Sequence, residues 1–139
     1  MATSVVAIER QHMEEVIELL QSMSSFQPKN EEYDDIWKDF KGQSNVHSVV
    51  VVEEDVVIGY GSVVIETKIR GGKIGHIEDI VSHNDYRKRG IGKMIVDSLY
   101  EIARTEGCYK VLLQCEEHNI PFYEKCGYEL YGLAMQRLM

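Results

Sequence analysis

The sequence predicts one α/β (α+β) domain, residues 1–139, in which helices flank a central sheet. The chain has 139 residues, of which 44% are hydrophobic and 27% are charged, and this suits a single compact core. In some segments apolar residues recur at every second position, as in strands, and in others they recur at every third or fourth position, as in helices. The predicted order of elements is β-α-α-β-β-β-α-β-α-β.

The first third of the chain predicts a strand followed by two amphipathic helices. Residues 4–8 form a short apolar run, and residues 13–20 (MEEVIELL) repeat apolar side chains at helical spacing. The segment from Asn30 to Lys41 spaces its aromatic residues in the same way. Asn30 is its predicted N-cap because acidic residues fill the turn that follows.

Three consecutive strands are predicted next. Residues 47–53 and 56–66 are rich in β-branched residues and flank the acidic sequence EED, which favours a hairpin. The sequence RGG at 70–72 breaks the pattern before the third run, KIGHIEDIV at 73–81.

The remainder of the chain predicts two more helices and two more strands. Residues 91–104 space apolar side chains for a helix that Gly107 ends. The other predicted elements are a buried strand at 109–115, a short helix at 119–126 ended by Gly127, and a final strand at 128–138.

Composition argues against several classes of partner. The net charge of −8 disfavours nonspecific binding to nucleic acid or anionic membranes. The longest apolar run, VVVV at 49–52, is far below the roughly 18 residues of a membrane span, so we expect a cytoplasmic protein. Cys108, Cys115 and Cys126 are odd in number and lack CxxC spacing, which favours free thiols over a disulfide framework or a zinc site.

The stretch YRKRGIGK at 86–93 concentrates positive charge and glycine between a predicted strand and a predicted helix. A helix N-terminus presents unpaired N–H groups and a partial positive charge to anions. Gly90 and Gly92 would let the backbone approach phosphate oxygens. Four side chains add charge: Arg87, Lys88, Arg89 and Lys93. The stretch therefore predicts a site for a small anionic ligand.

Other interpretations of this stretch fit to different degrees. A GxGxxG dinucleotide motif fails because no third glycine follows, and a P-loop fails because Met94 stands where Ser or Thr is needed. An ordinary loop with solvated basic side chains stays open on this stretch alone.

These residues resemble an element of the GNAT acetyltransferases. RKRGIG resembles their R/Q-x-x-G-x-G/A element, whose backbone amides hold the pyrophosphate of acetyl-CoA. The resemblance implies the GNAT acyl-CoA N-acyltransferase fold, with a central mixed, mostly antiparallel sheet, and acetyl-CoA as co-substrate without a metal. It also implies that the loop contacts this cofactor through Arg87, Lys88, Arg89, Gly90, Ile91, Gly92 and Lys93.

Further segments are similar to one branch of that family, the glucosamine 6-phosphate N-acetyltransferases. They are GHIEDIV, GCYKVLLQC and NIPFYEKCGY, and the likeness is densest from Gly75 to Tyr128. It implies acetyl transfer to the 2-amino group of the sugar phosphate by direct attack in a ternary complex, on the route to UDP-N-acetylglucosamine. It also implies a homodimer in which the last strand of each protomer contributes to its partner's site.

The resemblance assigns the chemistry to Tyr123 and Glu78. An amine that attacks a thioester must be unprotonated and in line with the carbonyl, and the departing thiolate benefits from a proton donor. Tyr123 would support the departing sulfur, and Glu78 would position or deprotonate the amine. Glu78 and Asp79 are adjacent, so in a regular strand they point to opposite faces and cannot act as a pair. The alternative for Tyr123 is an aromatic side chain of the core, and the alternative for Glu78 and Asp79 is a pair of solvent-exposed acids at the end of a strand.

The remaining implied contacts divide between cofactor and sugar. The pantetheine arm would bind the backbone of Ile80, Val81 and Ser82, and Asn119 would contact the same cofactor. The sugar phosphate would bind Ser24, Lys68, Ile69, Arg70 and Asp79. Lys68 and Arg70 could equally be solvated loop charges.

Two positions depart from the branch. Gln114, still a predicted substrate contact, replaces an acidic residue and cannot act as a base. Leu138 falls where an arginine binds substrate, and Arg137 beside it would face the other way in a regular strand. These departures leave open a GNAT enzyme for another amine, such as a polyamine or a protein N-terminus. A sensor that binds acyl-CoA without turnover is a further alternative.

Overall fold

A five-stranded mixed sheet forms the centre of the fold in the computed structural model, which describes residues 2–86 and 89–139. The strands lie in chain order: β1 (Thr3–Ala7), β2 (Val46–Glu53), β3 (Val56–Thr67), β4 (Lys73–Ser82) and β5 (Cys108–Leu112). The helices are α1 (Met13–Leu20), α2 (Tyr33–Lys41), α3 (Ile91–Thr105) and α4 (Ile120–Lys125). Neighbouring strands are antiparallel except β4 and β5, which are parallel. The predicted mixed, mostly antiparallel sheet is confirmed.

The sheet is buried on both faces, which explains the unbroken valine run of β2. Val49 and Val51 pack on the side of α3, whereas Val50 packs with Val16 of α1 on the other side. Helix α3 lies close against the strands because β3 carries glycine there. A Cβ on Gly61 would lie 2.5 Å from Cγ2 of Ile95. A methyl group at this position would force the helix away from the sheet.

The β2–β3 hairpin turns through two residues, Glu54 and Asp55, with φ of 49° and 66°. Two-residue hairpin turns of this hand favour Asn-Gly because both positions need positive φ. We expect Glu54→Asn combined with Asp55→Gly to raise the free energy of unfolding by about 1 kcal/mol in urea titration. Asp55→Ala should lower it, since alanine lacks the local hydrogen bonding that lets aspartate adopt this conformation. An equal gain from alanine would contradict the strain argument.

Two predicted boundaries near helices and strands differ from the structure. Residues 30–32 form a 3-10 turn, and α2 begins only at Tyr33. The Lys29 N–H donates to the Glu32 carboxylate at 2.8 Å, so Glu32 closes this turn rather than the predicted N-cap, Asn30. Strand β5 ends at Leu112, three residues before the predicted end, because β4 no longer pairs with it beyond that point.

The predicted final strand at 128–138 is wrong for the single chain. These residues form no helix or strand, and the segment from residue 129 to residue 139 is exposed throughout. Its contact with the sheet includes Tyr131, whose ring lies 4.5 Å from the Lys110 ammonium. A strand needs a hydrogen-bonded neighbour, and this segment pairs with none of the described strands.

The three cysteines are free, half-buried thiols. Within residues 2–86 and 89–139, no helix is both long and apolar enough to cross a membrane. The same ranges contain no group of three His, Cys, Asp or Glu side chains placed to hold a metal ion.

Candidate active site

Strand β4 has a free edge over its second half. Its parallel pairing with β5 begins at Lys73 and ends where His76 faces Leu112. From Ile77 to Ser82, no described strand lies beside β4 on that side. Backbone N–H and C=O groups on an unpaired edge can pair with an extended ligand. The predicted pantetheine contacts, Ile80, Val81 and Ser82, belong to this stretch.

A β-bulge interrupts β4 at the same place. Tyr60 faces Val81 and Ser62 faces Glu78, so two residues of β4 oppose Gly61 alone. Asp79, one of the two, has a φ of 55°, which is rare for a residue with a side chain. Such an extra residue shifts the alternation of side chains by one position.

The bulge places Glu78 and Asp79 on the same side of the sheet, so the predicted opposite orientation is wrong. Glu78 faces Ser62, whose hydroxyl contacts Tyr60 on the α1 side. Asp79 lines a cleft with residues of α1. Both acids are exposed. Both side chains therefore lie on the side of the sheet that carries the cleft.

An open cleft of about 240 Å³ lies between Asp79, α1 and the loop that follows α1. Ser24, a predicted substrate contact, lines this cleft together with Phe26. The Ser24 hydroxyl accepts a hydrogen bond from the Phe26 N–H at 3.1 Å, which leaves its own proton for a ligand. The structure thus brings together Ser24 and Asp79, which are far apart in sequence.

A cluster of buried hydroxyl groups lies beneath this side of the sheet. The Tyr60 hydroxyl is 2.8 Å from that of Ser62 and donates to that of Ser48 at 3.3 Å. Burial raises the pKa of Tyr60, and the negative charge of Asp79 adds to the effect. Sequence reasoning missed this cluster; its one signal is a pair of polar residues at cross-strand positions of otherwise apolar strands.

The predicted anion loop meets α3 at a glycine. Gly90 has a φ of 74° and precedes the first residue of the helix, Ile91, which is buried. A Cβ on Gly92 would lie 3.2 Å from the ring of Phe122 in α4, so the two helices touch here. The predicted contacts Arg87 and Lys88 lie outside the described residues.

Two basic side chains of this loop pair with acids of the chain. Lys93 forms an ion pair with Asp97 at 2.5 Å, one turn further along α3. Arg89 binds Glu53, the last residue of β2, through two nitrogens at 2.8 and 2.5 Å. Within the described part of the loop, a Cβ on Gly90 would meet open space, whereas Gly92 lies against the Phe122 ring.

Tyr123 lies in α4 beside the N-terminus of α3. Its ring is half-buried and makes edge contacts with Phe122 and Tyr128, at centroid distances of 5.0 and 6.2 Å. Burial raises the pKa of Tyr123, with Cys115 and Cys126 as further causes. The phenol therefore stays protonated at neutral pH and can donate a proton or a hydrogen bond. Asn119 directly precedes α4 and is exposed.

The residues predicted to bind the sugar phosphate are dispersed in the single chain. Lys68 pairs with Glu66 at 3.0 Å, and Arg70 donates to the Tyr109 hydroxyl at 3.1 Å. Both lie with Ile69 at the β3–β4 turn, at least roughly 15 Å along β4 from Asp79. Gln114 is exposed after β5, and Arg137 lies in the exposed C-terminal segment.

Comparison with known proteins agrees with this arrangement. The model of the acetyltransferase (GNAT) family matches residues 13–128. Over 123 residues the chain is 39% identical to glucosamine 6-phosphate N-acetyltransferase 1 of Dictyostelium discoideum, covering 85% of this chain and 78% of that protein. Over 113 residues it is 36% identical to the Arabidopsis thaliana glucosamine 6-phosphate N-acetyltransferase, covering 78% and 76%.

Solved structures extend the likeness to the whole chain. The crystal structure of glucosamine-6-phosphate N-acetyltransferase from Arabidopsis thaliana matches with a TM-score of 0.93 and 31% identity, and the match covers 99% of both chains. The chain therefore belongs to the acetyltransferase (GNAT) family.

Proposed function

We propose that this protein transfers the acetyl group of acetyl-CoA to the 2-amino group of D-glucosamine 6-phosphate, giving N-acetylglucosamine 6-phosphate and CoA. As a GNAT member it is an acetyl-CoA-dependent N-acetyltransferase. The observation that carries the proposal is that the bulge places Glu78 and Asp79 on one side of the sheet, beside the free edge of β4. The names of the relatives support the choice of sugar.

The described residues fit the co-substrate in two places. The free edge of β4 offers backbone groups of Ile80, Val81 and Ser82 to an amide-containing arm. The N-terminus of α3, with Gly90 and Gly92, offers N–H groups and a partial positive charge to a pyrophosphate. When bound there, acetyl-CoA supplies the acetyl group as a thioester.

The acids and Tyr123 divide the proton transfers. An amino sugar arrives as an ammonium ion, which two carboxylates attract and hold. In this proposal Glu78 accepts the proton of the amine, directly or through water, and Asp79 with Ser24 orients the sugar in the cleft. Tyr123, protonated at neutral pH, donates to the sulfur as the C–S bond breaks.

A homodimer would complete the sugar-phosphate site. The C-terminal segment exposes several large apolar side chains, namely Leu130, Tyr131, Leu133, Met135, Leu138 and Met139. We propose that it forms the last strand in contact with a second protomer and carries Arg137 into the partner's site. The basic residues Lys68 and Arg70 lie too far from Asp79 to serve the cleft of their own protomer. The reaction would occur in the cytoplasm, on the route to UDP-N-acetylglucosamine.

Thiol release from acetyl-CoA tests the substrate directly. We expect kcat/KM to be at least about tenfold higher with glucosamine 6-phosphate than with unphosphorylated glucosamine, because charged hydrogen bonds to phosphate are strong. Equal rates with both sugars would contradict a phosphate site. Binding of acetyl-CoA without turnover of either sugar would favour one of the two alternatives. The first is an enzyme for another amine, which fits the distance between the basic residues and the cleft. The second is a sensor that binds acyl-CoA without turnover.

A further inference from the structure

The buried carboxylate of Glu53, on β2, binds the Arg89 side chain of the predicted anion loop (residues 86–93). Glu53 is 3% exposed, yet its side chain is a carboxylate. It accepts two hydrogen bonds from Arg89 and a third, at 2.7 Å, from the Thr3 hydroxyl of β1. Burying a charge costs free energy unless partners satisfy it. This carboxylate is satisfied by the first strand and by the loop.

The arginine has two contacts that hold its guanidinium. Its guanidinium binds Glu53 in the two-point geometry that is specific to arginine and carboxylate. The guanidinium carbon also lies 5.4 Å from the ring centroid of Tyr86. Arg89 is thus held from two directions immediately before Gly90, the residue that precedes α3.

The bridge persists over the whole pH range of an enzyme assay. Hydrogen bonds from Arg89 and Thr3 lower the pKa of Glu53 to about 2. Because the pKa in the folded state lies below the ordinary value, the carboxylate stabilises the fold at neutral pH. That stabilisation is lost progressively as the pH falls from about 4.5 towards 2.

We infer that Glu53 is a positioning residue for acetyl-CoA binding: it holds Arg89, and with it the Gly90–Gly92 backbone at the N-terminus of α3, in the geometry that receives the pyrophosphate. The inference rests on the proposed function. It gives Arg89 a different role from the one that its positive charge suggests. In this role the guanidinium neutralises Glu53, and the backbone amides of the helix contact the anion.

The test is a double-mutant cycle on Glu53→Gln and Arg89→Gln, with acetyl-CoA affinity measured by calorimetry. We expect each single variant to weaken binding about tenfold, because displaced groups lose preorganised contacts. The double variant should be no weaker than either single one, since both changes remove the same bridge. Arg89→Lys should behave like Arg89→Gln, because lysine cannot make the two-point contact.

A direct contact between Arg89 and phosphate predicts the opposite pattern. In that case Arg89→Lys retains most of the affinity, and Glu53→Gln leaves affinity unchanged or improves it by releasing the guanidinium. Either result would overturn the positioning role. Binding stoichiometry and kinetics distinguish a positioning role of Glu53 from a merely structural one. Positioning raises KM for acetyl-CoA at unchanged kcat and full binding stoichiometry, whereas partial unfolding lowers kcat and the number of sites.

The matched control is the Arg104–Glu101 pair at the other end of α3, which joins at 2.7 Å on the surface. Arg104→Gln and Glu101→Gln remove the same chemical groups from a surface pair and should leave affinity unchanged. Gly92→Asp separates the inference from the proposed function. If it weakens binding while Glu53→Gln does not, only the inference fails; if the wild-type protein does not bind acetyl-CoA, both fail.

Discussion

Tyr123→Phe should lower kcat by about a hundredfold or more while leaving the Kd for acetyl-CoA within about twofold. The change removes one hydroxyl and keeps the ring, so the edge contacts with Phe122 and Tyr128 remain. A phenol is protonated at neutral pH and burial raises the pKa of Tyr123 further, so the wild-type residue carries a proton that it can donate to the departing sulfur. Thiol release gives kcat, and calorimetry gives Kd.

The neighbouring Tyr128 supplies a matched control. Its hydroxyl is buried and has no hydrogen-bond partner within the described part of the chain, and burial raises its pKa to about 12. Tyr128→Phe therefore deletes the same atom from a similar ring a few residues away, and we expect kcat to stay within about twofold. A loss of kcat and affinity by the same factor in Tyr123→Phe would remove Tyr123 from the leaving-group role.

Gly92→Asp should weaken acetyl-CoA binding by about a hundredfold, because it places a negative charge in the first turn of α3, beside the expected position of the pyrophosphate. The charge itself suits the first turn of a helix, but the added side chain must displace the Phe122 ring. Calorimetry measures affinity, and a thermal melt of the same sample checks folding.

Gly92→Ala separates bulk from charge. Its Cβ would lie 3.2 Å from Cζ of Phe122, so the ring must move slightly, but no charge is added. We expect a smaller loss than with aspartate, and we expect high salt to recover part of the aspartate loss only. Equal affinity of Gly92→Asp and the wild type would contradict the assignment of the loop to pyrophosphate.

Regular elements were predictable because each shows a local period. The valine run of β2, the apolar stripe of α3 and the glycine that ends this helix are all patterns within short stretches of the sequence. The final strand failed for the same reason. Its residues are largely apolar, but apolar composition alone does not supply the neighbouring strand with which it would pair.

The parts of the site that sequence reasoning missed depend on contacts between distant segments. The bulge shifts the orientation of Asp79 by one position, and aspartate at positive φ leaves no signal such as glycine would. The Glu53–Arg89 bridge joins residues 36 apart in the sequence. Charge predicted that Arg89 would serve an anion, but the nearest anion in the structure is a carboxylate of the chain itself.

The free edge of β4 also has a consequence for how the protein folds. Strands β2, β3 and β4 follow one another through tight turns, so they can pair early at a small cost in loop entropy. The parallel partner β5 must wait until α3 crosses the sheet, because a parallel neighbour needs a long connection. The edge of β4 at which the co-substrate is proposed to bind therefore lies between strands β2 to β4, which can pair early, and β5, which docks late. We therefore expect acetyl-CoA to slow unfolding more than it speeds folding, since its site is complete only after β5 has docked.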